Sequence, residues 1–143
     1  MKWCGAVAAL LLAAAAAAPV SAGPACTITG TPRADFLAGT GGADVICGLG
    51  GNDTILGYGG ADRIRGGPGN DAIDGGAGPD VLHGDAGDDY ITGNTGRDSL
   101  AGGPGDDYLR ARDGGPDWLD GGPGTDRGRV DRPFDRWTRI ERT

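Results

Sequence analysis

Residues 48–74 read GLGGNDTIL, GYGGADRIR, GGPGNDAID: three nonapeptides, each with Gly at positions 1 and 4, Asp at position 6 and Ile at position 8. Working outward, the phase holds without slippage from Gly30 to Arg110. Position 1 is always Gly, and position 4 is Gly except at Arg33. Position 6 is Asp35, Asp44, Asp53, Asp62, Asp71, Asp80, Asp89, Asp98 and Asp107, and position 8 is always Leu or Ile. One residue is inserted after Arg110, and the phase resumes as RDGGPDWLD with Asp117 and Leu119. GGPGTDRGR follows, where Asp126 survives but Gly128 stands at the apolar position. A degraded register runs on through Asp135 and Trp137.

Glycine makes up 31 of the 143 residues, far above the usual ~7%. There is no Gly-X-Y period, which excludes collagen. So much glycine also argues against a helical or α/β enzyme, because it weakens helix interiors. Acid-rich, aromatic-poor chains are commonly disordered, but disorder gives no reason for four positions to repeat in phase.

The period has a physical reading. Two fixed glycines permit a turn with positive φ, and x-Asp-x-Leu/Ile-x alternates as a short strand with one apolar side chain inward. Turn, strand, turn, strand makes a flattened coil of 18 residues per winding, in which residue i lies above residue i+18 and alternate aspartates align. The expected fold is all-β, a parallel β-roll of Gly-rich nonapeptides over 30–126. One inward aliphatic per repeat makes a thin core, and stacked aspartates repel one another. A cation between the rungs would answer both. Ca²⁺ suits carboxylates and turn carbonyls in flexible geometry, Mg²⁺ is more demanding, and zinc is poorly served by one His and few Cys. The expected ligands are Asp35, Asp44, Asp53, Asp62, Asp71, Asp80, Asp89, Asp98, Asp107, Asp117 and Asp126.

These residues spell Gly-Gly-x-Gly-x-Asp-x-aliphatic-x, with GLGGNDTIL, GGPGNDAID and GGPGDDYLR as close matches. The chain resembles the repeats-in-toxin, or hemolysin-type, calcium-binding repeat proteins, in a small secreted stand-alone form. The resemblance implies a parallel β-roll with each Ca²⁺ between turns two repeats apart, held by carbonyls of both turns and by the position-6 carboxylates. Pairing the intact repeats gives about six such sites. Position 2 is not always Gly; Leu49, Tyr58, Asp85 and Asn94 stand there, and a residue facing the turn exterior is expected to matter little.

Residues 1–22 read as a secretory signal. Lys2 precedes an uncharged run from Gly5 to Ala18, and Val20-Ser21-Ala22 offers small residues for cleavage. That run is shorter than the ~20 residues of a membrane span. The mature chain is expected outside the cell, with residues 23–29 as an N-terminal cap and 127–143 as a C-terminal capping segment; a short helix starting near Pro133 is the rival reading of that tail. Cys26 and Cys47 are expected to form a disulfide, because an exported chain meets an oxidising compartment. In an 18-residue winding Cys47 lies above Thr29, so the segment before Thr29 must bend back over the roll end.

Residues 23–126 hold 17 acids against 6 Arg. This acidic body disfavours nucleic acid and anionic membranes and attracts cations. The tail holds 6 Arg against 3 acids, which leaves a protein or polysaccharide partner open. Ser99 and His83 fall two residues apart along neighbouring strands, too far for a triad. Asp88-Asp89 and Asp106-Asp107 resemble glycosidase pairs, but position 6 is explained by the ion and position 5 by repeat variation. A calcium-binding structural or adhesive module, not an enzyme, is the leading reading; a β-helix-type carbohydrate-active enzyme or a partner-binding module is the alternative.

Overall fold

A computed structural model describes residues 24–111, 113–131 and 133–142. The expected signal segment, 1–22, lies outside them. Among the described residues the regular structure is all strand. One parallel sheet comprises β1 (Ile28–Thr29), β3 (Val45–Cys47), β5 (Arg63–Pro68), β7 (Val81–Ala86), β9 (Ser99–Ala101), β11 (Trp118–Asp120) and β13 (Arg136–Thr138), paired in that order. The other runs β2 (Phe36–Ala38), β4 (Thr54–Leu56), β6 (Ala72–Ala77), β8 (Tyr90–Thr95), β10 (Tyr108–Ala111), β12 (Arg127–Val130) and β14 (Glu141–Arg142). Consecutive strands alternate between the sheets, as a flattened winding of turn, strand, turn, strand requires. The chain is a parallel β-roll.

The register is the one the period dictates. Ile46 pairs with Ile64, Ile64 with Leu82, and Leu82 with Leu100. Opposite them run Leu37, Ile55, Ile73, Ile91 and Leu109. Position 8 of both sheets therefore forms one core, fully buried from Ile46 to Leu119. Positions 7 and 9 face outward, where Tyr90 and Tyr108 stack with ring centroids 5.1 Å apart.

The inserted residue is absorbed without breaking the ladder. Ala111 turns inward and is completely buried, and pairing steps by one extra residue, Leu100 to Leu119 and Leu109 to Gly128. Where Gly69, Gly78 and Gly87 donate their N–H to a carbonyl one rung on, Gly96 donates instead to Asp113 Oδ2 at 2.8 Å. The hole at Gly128 is filled: Ile140 Cγ2 lies 2.7 Å from where a Cβ would stand. The tail continues as strand, with Trp137 paired to Leu119 and packed against the core.

The N-terminal end departs from expectation in one respect. Cys26 and Cys47 are bridged, with Cα atoms 5.9 Å apart. Ile28 nevertheless pairs regularly with Ile46, and Thr27 N–H donates to the Val45 carbonyl at 2.7 Å. Regular pairing thus begins at Thr27, one residue past the bridged Cys26.

Candidate metal centre

Each position-6 aspartate stands just before its strand, so strand stacking fixes its place. The eleven expected residues fall into two columns. One is Asp35, Asp53, Asp71, Asp89, Asp107 and Asp126; the other is Asp44, Asp62, Asp80, Asp98 and Asp117, which Asp135 extends. Within a column the backbone N–H of each aspartate donates to Oδ1 of the aspartate one rung on. The distances run from 2.7 Å (Asp53 to Asp71) to 3.1 Å (Asp117 to Asp135). These bonds hold the accepting carboxylates, from Asp53 and Asp62 onward, in one orientation.

The second oxygen is different. Oδ2 of Asp53, Asp62, Asp71, Asp80, Asp89, Asp98, Asp107, Asp117 and Asp126 is buried and accepts no hydrogen bond, although these residues are only 1–4% exposed. A buried carboxylate oxygen without a partner is costly. In all of them except Asp117, whose repeat begins with Arg112, this oxygen lies against the position-1 glycine of its own repeat. A Cβ added at Gly48 would lie 2.3 Å from Asp53 Oδ2 and 2.4 Å from the carbonyl oxygen of Gly66, one rung on. At Gly84 it would lie 2.0 Å from Asp89 Oδ2 and 2.7 Å from the Gly102 oxygen. Carboxylate and carbonyl oxygens thus converge so closely on the glycine that a Cβ there would collide with both.

This corrects the expectation for the glycines. Position 1 is Gly because a Cβ there would collide with these oxygens, not to supply positive φ. Positive φ falls at position 4, as at Gly51 and Gly69, and also at position 2, where Leu49, Tyr58, Asp85 and Asn94 have φ of 81, 71, 76 and 64°. The position-2 side chain is therefore not indifferent, since a left-handed backbone is unfavourable for Leu and Tyr. Asp85 and Asn94 gain partners there: Arg65 donates to both Asp85 oxygens at 3.0 and 2.8 Å, and Asn94 donates to Asp74.

Burial raises the aspartate pKa values, opposed by the rung-to-rung N–H bond and reinforced by neighbouring carboxylates. Asp80, Asp98, Asp107 and Asp117 are pushed up to about 6 and Asp89 to about 7. Asp62, Asp71, Asp126 and Asp135 are raised by the same cause. Near neutral pH these groups call for a positive counter-charge. Among the described residues no three His, Cys, Asp or Glu side chains gather as a metal-holding group, so an ion here must draw on backbone carbonyls as well. All-oxygen donors and orphaned carboxylate oxygens set close to backbone carbonyls together fit Ca²⁺.

Comparison with family models agrees. The RTX calcium-binding nonapeptide repeat matches in four copies, over residues 27–55, 48–82, 83–115 and 113–128. The chain belongs to this family. No curated protein matches it. As an RTX repeat roll, it has its position-6 aspartates where the family's repeat pattern puts them.

Two features escaped the repeat pattern. Asp35 and Asp44 have Oδ2 already hydrogen-bonded, by Thr31 and Thr40. A second ladder also lies at position 5 of alternate repeats. The N–H of Asn70, Asp88, Asp106 and Thr125 donates to Oδ1 of Asn52, Asn70, Asp88 and Asp106 respectively, at 2.8–3.1 Å. Asp88 and Asp106 are thus turn-stacking residues rather than incidental variation. The other row carries Ala43, Ala61, Pro79, Arg97 and Pro116. Reading the chain in eighteens would have exposed this alternation. Ser99 pairs with Val81 and His83 with Ala101, and burial lowers the His83 pKa.

Proposed function

We propose that this chain is a secreted calcium-ion-binding protein that folds when Ca²⁺ binds and serves as a structural or adhesive module outside the cell. The observation that carries this reading is the set of nine buried aspartate Oδ2 atoms without partners. Asp53, Asp62, Asp71, Asp80, Asp89, Asp98, Asp107, Asp117 and Asp126 would hold the ions, together with carbonyls such as that of Gly66 beside Asp53. Bound Ca²⁺ supplies positive charge between carboxylates that otherwise repel. Ligands that bind only the native state stabilise it by mass action, which suits a thin core of one aliphatic per repeat. Secretion is supported by the apolar run and small-residue site within 1–22 and by the Cys26–Cys47 bridge, since disulfides persist in oxidising compartments.

The test is far-UV circular dichroism of the mature chain. In chelator it gives a coil spectrum, and millimolar Ca²⁺ restores β signal cooperatively. A fully folded spectrum in chelator, unchanged by Ca²⁺, refutes calcium-driven folding.

A further inference from the structure

Twelve aspartates occupy the position-6 columns, yet they fall into two classes. In nine, Oδ2 is buried without a partner. In the other three a backbone N–H four residues earlier, at position 2 of the same repeat, closes on Oδ2. Thr31 N–H donates to Asp35 Oδ2 at 2.6 Å and its hydroxyl at 2.8 Å. Thr40 does the same to Asp44, at 2.7 and 2.9 Å. Asp131 N–H donates to Asp135 Oδ2 at 2.5 Å.

The two classes follow the backbone at position 2. Leu49, Tyr58, Gly67, Gly76, Asp85, Asn94, Gly103 and Gly122 all have positive φ, and the aspartate of each of their repeats keeps a free Oδ2. Thr31, Thr40 and Asp131 do not have positive φ. Asp117 is the exception: in the repeat that follows the inserted residue, positive φ falls at Gly114 rather than at the position-2 residue Asp113, and Oδ2 is still free. The left-handed region is a genuine outlier for β-branched residues. A threonine at position 2 therefore keeps the ordinary backbone, which accompanies an N–H turned onto the carboxylate.

We infer that the residue at position 2 decides whether a turn takes an ion. Left-handed turns leave Oδ2 free for Ca²⁺. Threonine turns satisfy the same oxygen with an N–H and a hydroxyl, in the place of the cation, and take none. The first two rungs, beside the Cys26–Cys47 bridge, are thereby closed without metal, as is the last rung at Asp135. The ion-taking turns lie between these ends. The inference rests on the calcium reading above, and it assigns Asp35 and Asp44 to self-capping rather than to ion binding.

The experiment counts calcium bound per chain at saturation, by equilibrium dialysis of the full chain and elemental analysis. Thr31→Gly with Thr40→Gly is expected to add one ion per converted turn. Thr31→Val with Thr40→Val keeps the β-branch and the backbone N–H, and leaves the count unchanged. Tyr58→Thr introduces no new Cβ and is expected to lose one ion, while Tyr58→Asn, which tolerates the left-handed backbone, keeps the wild-type count. An unchanged count in the glycine double variant or in Tyr58→Thr overturns the inference while the calcium reading stands. A wild-type chain that binds no calcium overturns both.

Discussion

Replacing Asp89 by Asn should change sign with the ion. Asp89 Oδ1 accepts the Asp71 N–H at 2.8 Å, and an amide oxygen can keep that bond. The buried Oδ2 becomes an NH₂ group beside Gly84 and near the Gly102 carbonyl, so the site gains a donor and loses a charge. Burial, outweighing the Asp71 hydrogen bond, moves the carboxyl from 3.8 to about 7, which corresponds to about 4 kcal/mol of differential stability between its two protonation states. The folded-state pKa is raised, so the ion-free roll carries no penalty from this group below pH 4. It loses stability as pH climbs through the window from about 4 to about 7, and it bears the full penalty above that. In chelator at pH 8, Asp89→Asn should therefore favour the folded state by up to about 4 kcal/mol, and at pH 4 the gain should vanish. In Ca²⁺ the same change removes an ionic ligand and should raise the calcium midpoint. The assay is β signal by circular dichroism, with trimethylamine N-oxide used to bring ion-free folding into range. If Asp89→Asn weakens folding in chelator at pH 8, the carboxylate is not an uncompensated buried charge and the reasoning fails.

Other outcomes follow from the same geometry. Protons compete with Ca²⁺ at Asp80, Asp98, Asp107 and Asp117, whose pKa values stand at about 6; the calcium midpoint should fall as pH rises from 5 to 7, and a pH-independent midpoint in titrations would contradict this. Leu49→Gly and Tyr58→Gly relieve left-handed backbone at φ of 81 and 71°, and each should stabilise the calcium-loaded roll by about 1 kcal/mol in urea melts; a loss of stability would show that the exposed side chains matter more than the strain. Reducing the Cys26–Cys47 bridge, which closes a sequence separation of 21, should lower stability by about 3 kcal/mol, measured as the urea midpoint in Ca²⁺ with and without reductant.

The winding, the core and the two columns of aspartates were legible because each follows from a strict period. Position 8 repeats, so Ile46, Ile64 and Leu82 must stack once the winding is eighteen residues. What stayed hidden depends on atoms rather than residue types. The sequence shows Gly48 and Asp53 five apart, but not that a Cβ would collide with the carboxylate. Thr31 and Thr40 look like ordinary variants until their N–H groups are seen on Asp35 and Asp44. The compensation of Gly128 by Ile140 joins a strand residue to one in the connection before β14, in a degraded register, where no repeat constrains the reading. The period called for a bend before Thr29 but not that Ile28 and Thr27 would keep their pairing with the next rung, because a chain end has only one neighbouring rung to set its path.

The central claim is that cations occupy the spaces faced by the free aspartate oxygens. Anomalous diffraction from crystals of the calcium-loaded chain tests it directly. Calcium peaks are expected beside Oδ2 of Asp53, Asp62, Asp71, Asp80, Asp89, Asp98, Asp107, Asp117 and Asp126, at the 2.3–2.6 Å typical of Ca²⁺–oxygen contacts. A folded roll with those spaces filled by water alone, at saturating calcium, would contradict the account.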